Sequence, residues 1–405
     1  MVHHRYWSLL IGLLELPGVA QDCATGRYRS EQFAEVTVTT GVAFGSNIAV
    51  AGGAQTLYMD VYEPTGDLLD ERPVAIVAFG GSFVAGSRTD VADACRMFAK
   101  MGYVAVAPDY RIGFFLPNTY STSLAVMRGA HDMKACVRFL RRSVAENGNP
   151  YGIDVDRIMI GGFSAGAISA LHAGFLDQDS ELPAALASQA VALGGAEGLS
   201  GNAGYSSDVL GIFSFSGALG DTLWVGSGDL PLCSVHETGD AVVPYYTQEV
   251  SVFGIPTGLI ASGSHDIHER LDHLGIDNCL LTYPGNGHLG YLDSDPEGAL
   301  GFVHDFCADL VCGEGADCGN VQASIGNGPS VHQGLSASPN PTRGILNVMG
   351  GISPLIVQDP SGREVLRTNA VPGSTVLDLS HLSDGTYLLR SIDPAVPVVR
   401  IVKMD

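Results

Sequence analysis

The sequence predicts an α/β fold, with a doubly wound and mostly parallel sheet, followed by a small C-terminal all-β sandwich domain. From residue 73 to residue 310, apolar strand-like runs alternate with helix-like runs, which is the pattern of repeated βα units with helices on both faces of a sheet. Beyond residue 338 short strands alternate with turns such as Asp384-Gly385, which predicts an all-β domain of about 70 residues. The 405 residues are enough for one large core and this smaller domain.

The elements of the larger part follow from apolar periodicity and from their flanking turns. Strands are predicted at residues 55–62, 73–79, 103–108, 157–162, 209–215, 230–235 and 279–283. Helices are predicted at residues 91–101, at 122–144, from 164 onward, and at 297–310.

Composition limits the partners of the chain. With 43 acidic and 21 basic residues the formal net charge is −22, so neither nucleic acid nor an anionic membrane surface is an expected partner. No apolar stretch is long enough to span a membrane. Residues 1–20 combine a basic start, an apolar run and the small residues Gly18-Val19-Ala20, which predicts a signal peptide and export.

The eight cysteines are an even number, which in an exported protein favours disulfides, although the sequence does not give their pairing. Three of them are close enough in sequence for a local bridge: Cys307, Cys312 and Cys318. No C-x-x-C pair or accompanying histidine cluster indicates a metal site, and no cofactor is expected. Asp293, Asp295 and Glu297 are spaced loosely like a calcium loop, but an acidic turn before a helix is the preferred interpretation.

The most informative motif is Gly162-Phe163-Ser164-Ala165-Gly166, between a predicted strand and a predicted helix. A G-x-S-x-G sequence at a strand-to-helix turn is typical of a nucleophile elbow, which exposes the serine hydroxyl above the sheet. The flanking glycines allow the tight turn. The amide of Ala165 would then point at the oxygen that becomes negative when Ser164 attacks a carbonyl.

A serine nucleophile needs a base to take its proton and an acid to orient that base, and in this context they follow the serine in the order acid, histidine. Asp240, on a turn after the strand at 230–235, is the predicted acid, with Glu237 and Asp221 as weaker substitutes. His288, on a glycine-flanked loop after the strand at 279–283, is the predicted base. The remaining histidines considered lie in helix-like stretches and are assigned to the core or the surface: His172, His265, His268, His273 and His304.

The loop Phe79-Gly80-Gly81-Ser82-Phe83 directly follows the first buried strand and is the predicted oxyanion loop. The amides of Gly81 and Ser82, together with that of Ala165, would hold the oxyanion, while Gly80 permits the turn. A phosphate-binding loop is the alternative, but neither phosphate-binding glycine pattern is present and no lysine is nearby.

These residues resemble the α/β-hydrolase superfamily, in particular the carboxylesterase and lipase branch related to hormone-sensitive lipase. The matching segments are Phe79 to Phe83 for the His-Gly-Gly-Gly loop, Asp109-Tyr110-Arg111 for the Tyr-Arg pair, Gly162 to Gly166 for the elbow, Asp240 to Pro244 for the acid loop and Gly287-His288 for the base loop. The resemblance covers roughly residues 34–312. It implies a serine hydrolase whose ester substrate is a small molecule or a polymer-attached acyl group.

Two residues depart from the pattern of that branch. Phe79 stands where histidine is usual, and Ser82 where a third glycine would fall. The loop is therefore expected to be held by packing instead of an imidazole hydrogen bond.

The C-terminal part resembles the sorting domain of the type IX secretion system of Bacteroidetes-type bacteria. Ser338-Pro339-Asn340-Pro341-Thr342-Arg343-Gly344 opens it, and residues 357–365, 377–382, 385–389 and 400–403 match its later strands. The resemblance implies that the type IX machinery is a partner of this protein. It also implies that the protein passes through the periplasm of a Gram-negative bacterium and is then secreted or attached to the cell surface. A carbohydrate-binding or adhesion sandwich is the competing interpretation.

The expected organisation is therefore a signal peptide (1–20), an α/β-hydrolase catalytic domain (21–312), a Gly/Ser-rich linker (313–335) and a sorting domain (336–405). Within the catalytic domain, residues 176–207 are expected to form a cap or a long loop above the active site. The leading functional hypothesis is a secreted carboxylic ester hydrolase acting through an acyl-enzyme. A prolyl-oligopeptidase-like serine peptidase and a non-catalytic hydrolase-fold adhesion or binding protein are the alternatives.

Overall fold

The computed structural model describes residues 22–114, 116–316, 318–323, 336–338, 342–349, 355–359, 363–368, 374–391 and 399–404. The chain divides into two compact units between Ala323 and Ser324. The predicted signal peptide lies outside the described residues, as do residues 324–335 of the predicted linker.

The described strands of the first unit, numbered in chain order, are β1 (Val36–Ile48), β2 (Ala54–Pro64), β3 (Arg72–Ala78), β4 (Val104–Pro108), β5 (Ile153–Phe163), β6 (Gly211–Phe215), β7 (Ala218–Leu219), β8 (Leu232–Glu237), β9 (Gln248–Val252), β10 (Ile255–Gly263), β11 (Asn278–Tyr283) and β12 (Gly319–Gln322). Its α-helices are α1 (Ala92–Lys100), α2 (Thr119–Asn147), α3 (Ala165–Phe175), α4 (Ala190–Leu193), α5 (Ser264–Leu274), α6 (Tyr291–Ser294) and α7 (Pro296–Cys312). Short 3₁₀ helices lie at Arg88–Val91, Asp179–Glu181, Ala184–Gln189 and Thr222–Trp224.

The large sheet has the order β1-β2-β4-β3-β5-β6-β8-β11-β12. β1, β2 and β4 pair antiparallel in succession, and the remaining neighbours pair parallel. Because the chain moves outward from β3 to β4 on one side and from β5 to β12 on the other, the winding direction reverses between β3 and β5. This topology confirms the predicted doubly wound α/β-hydrolase fold, and it places a crevice at the carboxyl ends of β3 and β5.

The central strands are buried over their whole length, as their uninterrupted apolar runs require when helices cover both faces. The longest helix, α2, begins where the side chain of Asn118 accepts a hydrogen bond from the Ser121 amide at 3.0 Å. It ends at Gly148, whose φ of 70° is the left-handed conformation that glycine adopts readily.

Residues 176–207 pack beside α2 as short helical turns. They share a small apolar cluster with it, formed by Met127, Leu176, Leu182, Leu186 and Ala196.

The structure differs from the prediction within the expected linker. Its residues Gly319–Gln322 form β12 and pair parallel with β11. The sheet of the first unit therefore continues beyond the predicted boundary at residue 312.

Two disulfides occur among the described residues, and both join positions distant in sequence. Cys23 is bonded to Cys312, and Cys279 to Cys318. The predicted local bridge among Cys307, Cys312 and Cys318 is wrong, because β12 brings Cys318 beside β11 and Cys23 lies at the end of α7. The other four cysteines are free and buried: Cys95, Cys136, Cys233 and Cys307.

The described strands of the second unit are β13 (Ser336–Ser338), β14 (Ile345–Met349), β15 (Leu355–Gln358), β16 (Glu364–Thr368), β17 (Ser374–Asp378), β18 (Gly385–Ser391) and β19 (Val399–Lys403). They form two antiparallel sheets, β13-β14-β17 and β16-β15-β18-β19. Side chains from both sheets pack together in one buried apolar core, formed by Leu346, Val348, Leu355, Val357, Leu377, Leu379, Tyr387, Leu389 and Ile401. This confirms the predicted small all-β sandwich. In the described ranges of both units, no helix has the length and apolar character needed to cross a bilayer.

Candidate active site

The turn from β5 into α3 places Ser164 at the crevice. Its φ of 52° and ψ of −118° are strained for a residue with a side chain. A Cβ on Gly162 or on Gly166 would lie 2.3 Å from the carbonyl oxygen of Ala78 at the end of β3. Both glycines are therefore required by the close approach of β3 to the turn, as expected of a nucleophile elbow.

The structure brings together the three side chains predicted to form the triad. Nε2 of His288 lies 2.8 Å from Oγ of Ser164, and Nδ1 of His288 lies 2.7 Å from Oδ2 of Asp240. With Nδ1 donating to the carboxylate, Nε2 is left to accept the hydroxyl proton of Ser164. The contacts form because β8 and β11, which precede Asp240 and His288, are adjacent parallel strands that end at the same edge.

Asp240 is held as a carboxylate in a buried site. Its Oδ1 accepts hydrogen bonds from the amides of Val242 and Val243 at 2.8 and 3.0 Å. Burial alone would raise the pKa of Asp240, but the hydrogen bonds from His236 and His288 outweigh it and hold that pKa well below its ordinary value. The carboxylate is thus available to orient and stabilise the imidazole of His288 at neutral pH.

His236 is a site residue that sequence reasoning missed. It is fully buried in β8, with Nε2 3.4 Å from Oδ2 of Asp240 and 3.2 Å from the carbonyl oxygen of Val243. Its Nδ1 lies 2.8 Å from Oγ of Ser264. The sequence signal that could have identified it is the spacing of four residues between His236, near the end of β8, and Asp240 in the following turn. At this spacing the turn can bring the two side chains together.

Glu237, considered as a substitute acid, supports the loop that carries His288. Its Oε2 accepts the amide of Gly290 at 3.2 Å. A Cβ on Gly285 or Gly287 would lie 2.9 Å from its carboxylate, so the glycines of this loop leave the space that Glu237 fills. The acid and base loops also bond directly, since the amide of Gly239 donates to the carbonyl of Gly285 at 2.7 Å.

The predicted oxyanion loop lies against Ser164. A Cβ on Gly80 would be 3.3 Å from Cβ of Ser164, and Ser82 and Ala165 line the same cavity as Ser164 and His288. In the described part of the chain, the amides of Gly81, Ser82 and Ala165 have no hydrogen-bond acceptor. These amides are therefore available to an oxyanion.

Packing holds this loop where the resemblance would have placed a histidine. The ring of Phe79 stacks on that of Tyr110 with centroids 4.3 Å apart. The hydroxyl of Tyr110 donates to the backbone oxygen of Phe79 at 2.8 Å. The next residue, Arg111, is anchored by a buried ion pair with Asp132 at 2.9 Å.

A cavity of about 390 Å³ opens at Ser164 and His288, within the usual range for small-molecule sites. Much of its wall comes from the β9–β10 hairpin, including Val250, Phe253 and Leu259. Of the segment predicted to form a cap, residues 176–207, only Pro183 lines the cavity. Among the described residues the hairpin therefore contributes more of the cavity wall than that segment does.

The other acidic residues considered from sequence have local roles. Asp221 accepts the amide of Leu223 at 2.9 Å. Asp295 caps α7 by accepting the amide of Gly298 at 3.1 Å, as the preferred interpretation of an acidic turn predicts.

The chain is similar in part to known hydrolases. A family model described as BD-FAE matches residues 59–193, about a third of the chain. Lipase 1 of Geotrichum candidum is 28% identical over 134 residues, which are 31% of this chain and 23% of that lipase. Carboxylesterase 3B of Mus musculus is 32% identical over 114 residues, which are 28% of this chain and 19% of that enzyme. The chain thus matches about a fifth of the length of these curated relatives.

Among solved structures, Thermogutta terrifontis esterase 2 phosphoramylated by tabun aligns with a TM-score of 0.49 and 18% identity, over 69% of this chain and 96% of that one. The propionate-bound structure of the same esterase aligns with a TM-score of 0.47 and 20% identity, over 66% of this chain and 94% of that one.

Proposed function

We propose that the protein hydrolyses carboxylic esters through an acyl-enzyme intermediate on Ser164. The observation that carries the proposal is the continuous hydrogen-bonded series from Asp240 through His288 to Ser164 at the floor of a cavity. This arrangement matches the requirements for an activated serine nucleophile.

In the first half of the reaction, Oγ of Ser164 attacks the ester carbonyl carbon while Nε2 of His288 takes the hydroxyl proton. The carbonyl oxygen becomes negative and accepts hydrogen bonds from the amides of Gly81, Ser82 and Ala165. The bond to the alcohol oxygen then breaks, and His288 returns its proton to the leaving alcohol.

In the second half, water attacks the acyl carbon and gives its proton to His288. A second oxyanion forms in the same place, the bond to Ser164 breaks, and the proton returns to Oγ as the carboxylic acid leaves. Asp240 stabilises the imidazolium in both halves and keeps its own charge.

The comparisons support an ester hydrolase, because the matched curated relatives bear the names lipase and carboxylesterase. They favour neither the prolyl-oligopeptidase-like peptidase nor the non-catalytic binding protein. The triad geometry also argues against a protein without catalytic activity.

Labelling by a fluorophosphonate tests the proposal directly. We expect one covalent adduct per chain, at Ser164, and hydrolysis of p-nitrophenyl acetate that falls by roughly a thousand-fold or more in Ser164→Ala. Ser143→Ala is a matched control, since this buried serine bonds only the helix carbonyl of Leu140. Full turnover by Ser164→Ala, or labelling elsewhere, would contradict the assignment.

Export and sorting by the C-terminal domain belong to the same proposal. The two disulfides support an oxidising compartment, and the all-β second unit is compatible with a sorting domain. In a host that carries type IX machinery, the full chain should reach the medium or the cell surface. A chain ending before residue 336 should stay in the periplasm, and equal export of both would count against the sorting role.

A further inference from the structure

One face of α3 forms a continuous floor of the cavity. Ser164, Ile168 and His172 follow one another at intervals of four residues, and all three line the cavity. Eight residues of α-helix rise about 12 Å. The nucleophile and the imidazole of His172 therefore lie at two ends of one floor.

The ring of His172 presents a hydrogen-bond acceptor there. Its Nδ1 lies 2.8 Å from the backbone oxygen of Ile168, to which it must donate. Nε2 then carries no proton in the neutral ring, and it has no hydrogen-bond partner within the described ranges. The residue is only 5% exposed, and burial lowers the pKa of His172 to about 4, so the ring stays neutral at pH 7.

Several neighbours of this ring are apolar. The ring of Trp224 packs edge-on against His172 with centroids 5.5 Å apart, and Pro183 and Ile168 line the cavity beside them. A ring nitrogen at a cavity wall that has no donor from the protein is free to accept a hydrogen bond from a bound molecule. A molecule that displaces water from this end of the cavity keeps that nitrogen paired only if it brings a donor there.

We propose that the cavity binds esters with a medium-length apolar arm that ends in a hydroxyl, and that Nε2 of His172 accepts the hydrogen bond of that hydroxyl. The inference rests on the proposed ester hydrolysis. An extended chain advances about 1.2 Å per bond, so the span along α3 corresponds to an arm of about eight to ten bonds. The cavity therefore distinguishes a hydroxyl-ended arm from an alkyl arm of the same size.

The test compares isosteric esters that differ only at the end of the arm. Methyl ω-hydroxyoctanoate is paired with methyl nonanoate to probe the acyl arm, and the monoacetate of octanediol with nonyl acetate to probe the alcohol arm. In at least one pair, we expect kcat/KM to be roughly ten-fold higher for the hydroxyl-ended ester, because an acceptor that the bound arm shields from water discriminates against an arm without a donor.

Three variants assign that preference to the imidazole. His172→Phe keeps a ring against Trp224 but removes Nε2, so the preference should disappear while alkyl esters are still hydrolysed. His172→Gln restores an acceptor and should recover part of it. His304→Gln is the matched control, since His304 is a buried histidine that does not line the cavity, and its preference should equal that of the wild type.

The outcomes separate this inference from the proposed function. Failure of the wild type to hydrolyse any of the four esters would overturn the ester hydrolase itself. Hydrolysis with equal or higher kcat/KM for the alkyl member of both pairs would leave the hydrolase standing and overturn the role of His172. A preference that persists unchanged in His172→Phe would also overturn it.

Discussion

Nε2 of His236 lies 3.4 Å from Oδ2 of Asp240, the same carboxylate oxygen that accepts the hydrogen bond from His288. Asp240 thus lies between two imidazoles, one fully buried in the sheet and one at the cavity. Because hydrogen bonds from both rings lower the pKa of Asp240, the buried ring helps to keep the acid charged. We infer that His236 is a positioning residue for the triad.

Replacing His236 by phenylalanine should impair the triad without closing the cavity. We expect kcat to fall by roughly ten-fold to a hundred-fold with little change in KM, because loss of one charged-group hydrogen bond costs about 1.5–3 kcal/mol. Steady-state kinetics of the variant and the wild type on one ester check the split between kcat and KM. An unchanged kcat would indicate that His236 has only a packing role.

Gly287→Ala should disturb the loop that carries His288. The added Cβ would lie 2.9 Å from both carboxylate oxygens of Glu237. The carboxylate would have to move, and it would lose its hydrogen bond from the amide of Gly290. We expect a loss of roughly ten-fold in kcat with a small change in melting temperature.

A double-mutant cycle tests this cause. In a Glu237→Ala background the space is free, so Gly287→Ala should have a much smaller additional effect on kcat. If the two substitutions prove additive, contact with Glu237 is not the reason for the glycine.

The buried histidines should make the protein acid-sensitive. Burial lowers the pKa of four of them from 6.5 to about 4: His131, His172, His268 and His304. Each remains neutral in the folded chain but takes up a proton when unfolded below pH 6.5. Their contribution to stability is therefore complete above about pH 6.5 and is lost as the pH falls toward about 4.

Urea unfolding at a series of pH values measures this effect. The wild type should show a free energy of unfolding that declines through that window, and His304→Gln should decline less steeply because one titrating group is removed. A profile that is flat between about pH 6.5 and about pH 4 would contradict the burial of these rings.

The Cys23–Cys312 disulfide should contribute more to stability than Cys279–Cys318. The first closes a separation of 289 residues and the second one of 39, and a longer loop loses more entropy when it is cross-linked in the unfolded chain. Removal of the first pair by serine substitution should cost about 2–5 kcal/mol of unfolding free energy. Chemical unfolding with and without reductant measures this loss of unfolding free energy. In a variant that lacks both pairs, the reductant should change the unfolding free energy little.

The candidate site could be located from the sequence because its motifs are local. The elbow around Ser164 is a short motif at a strand end, and the strands before Asp240 and His288 were recognisable as apolar runs. Since parallel strands end at one edge of a sheet, their following loops were expected to meet, and the structure places these side chains in hydrogen-bond contact.

Contacts that depend on how side chains pack were not readable in this way. The second imidazole on Asp240 depends on how a buried strand residue turns toward its own loop. The pairing of Cys318 depends on β12, which continues the sheet within a segment whose composition indicated a linker. Part of the cavity wall comes from the β9–β10 hairpin, which none of the strands predicted from the sequence covers.

The sequence by itself determined the fold class, the order of the central elements and the candidate serine, aspartate and histidine after strand ends, because periodicity and turn chemistry act over a few residues. Only the tertiary structure decided which side chains surround those three and that His172 presents an unpaired acceptor on the cavity floor. Burial and hydrogen-bond partners are properties of the packed chain, and no local pattern records them.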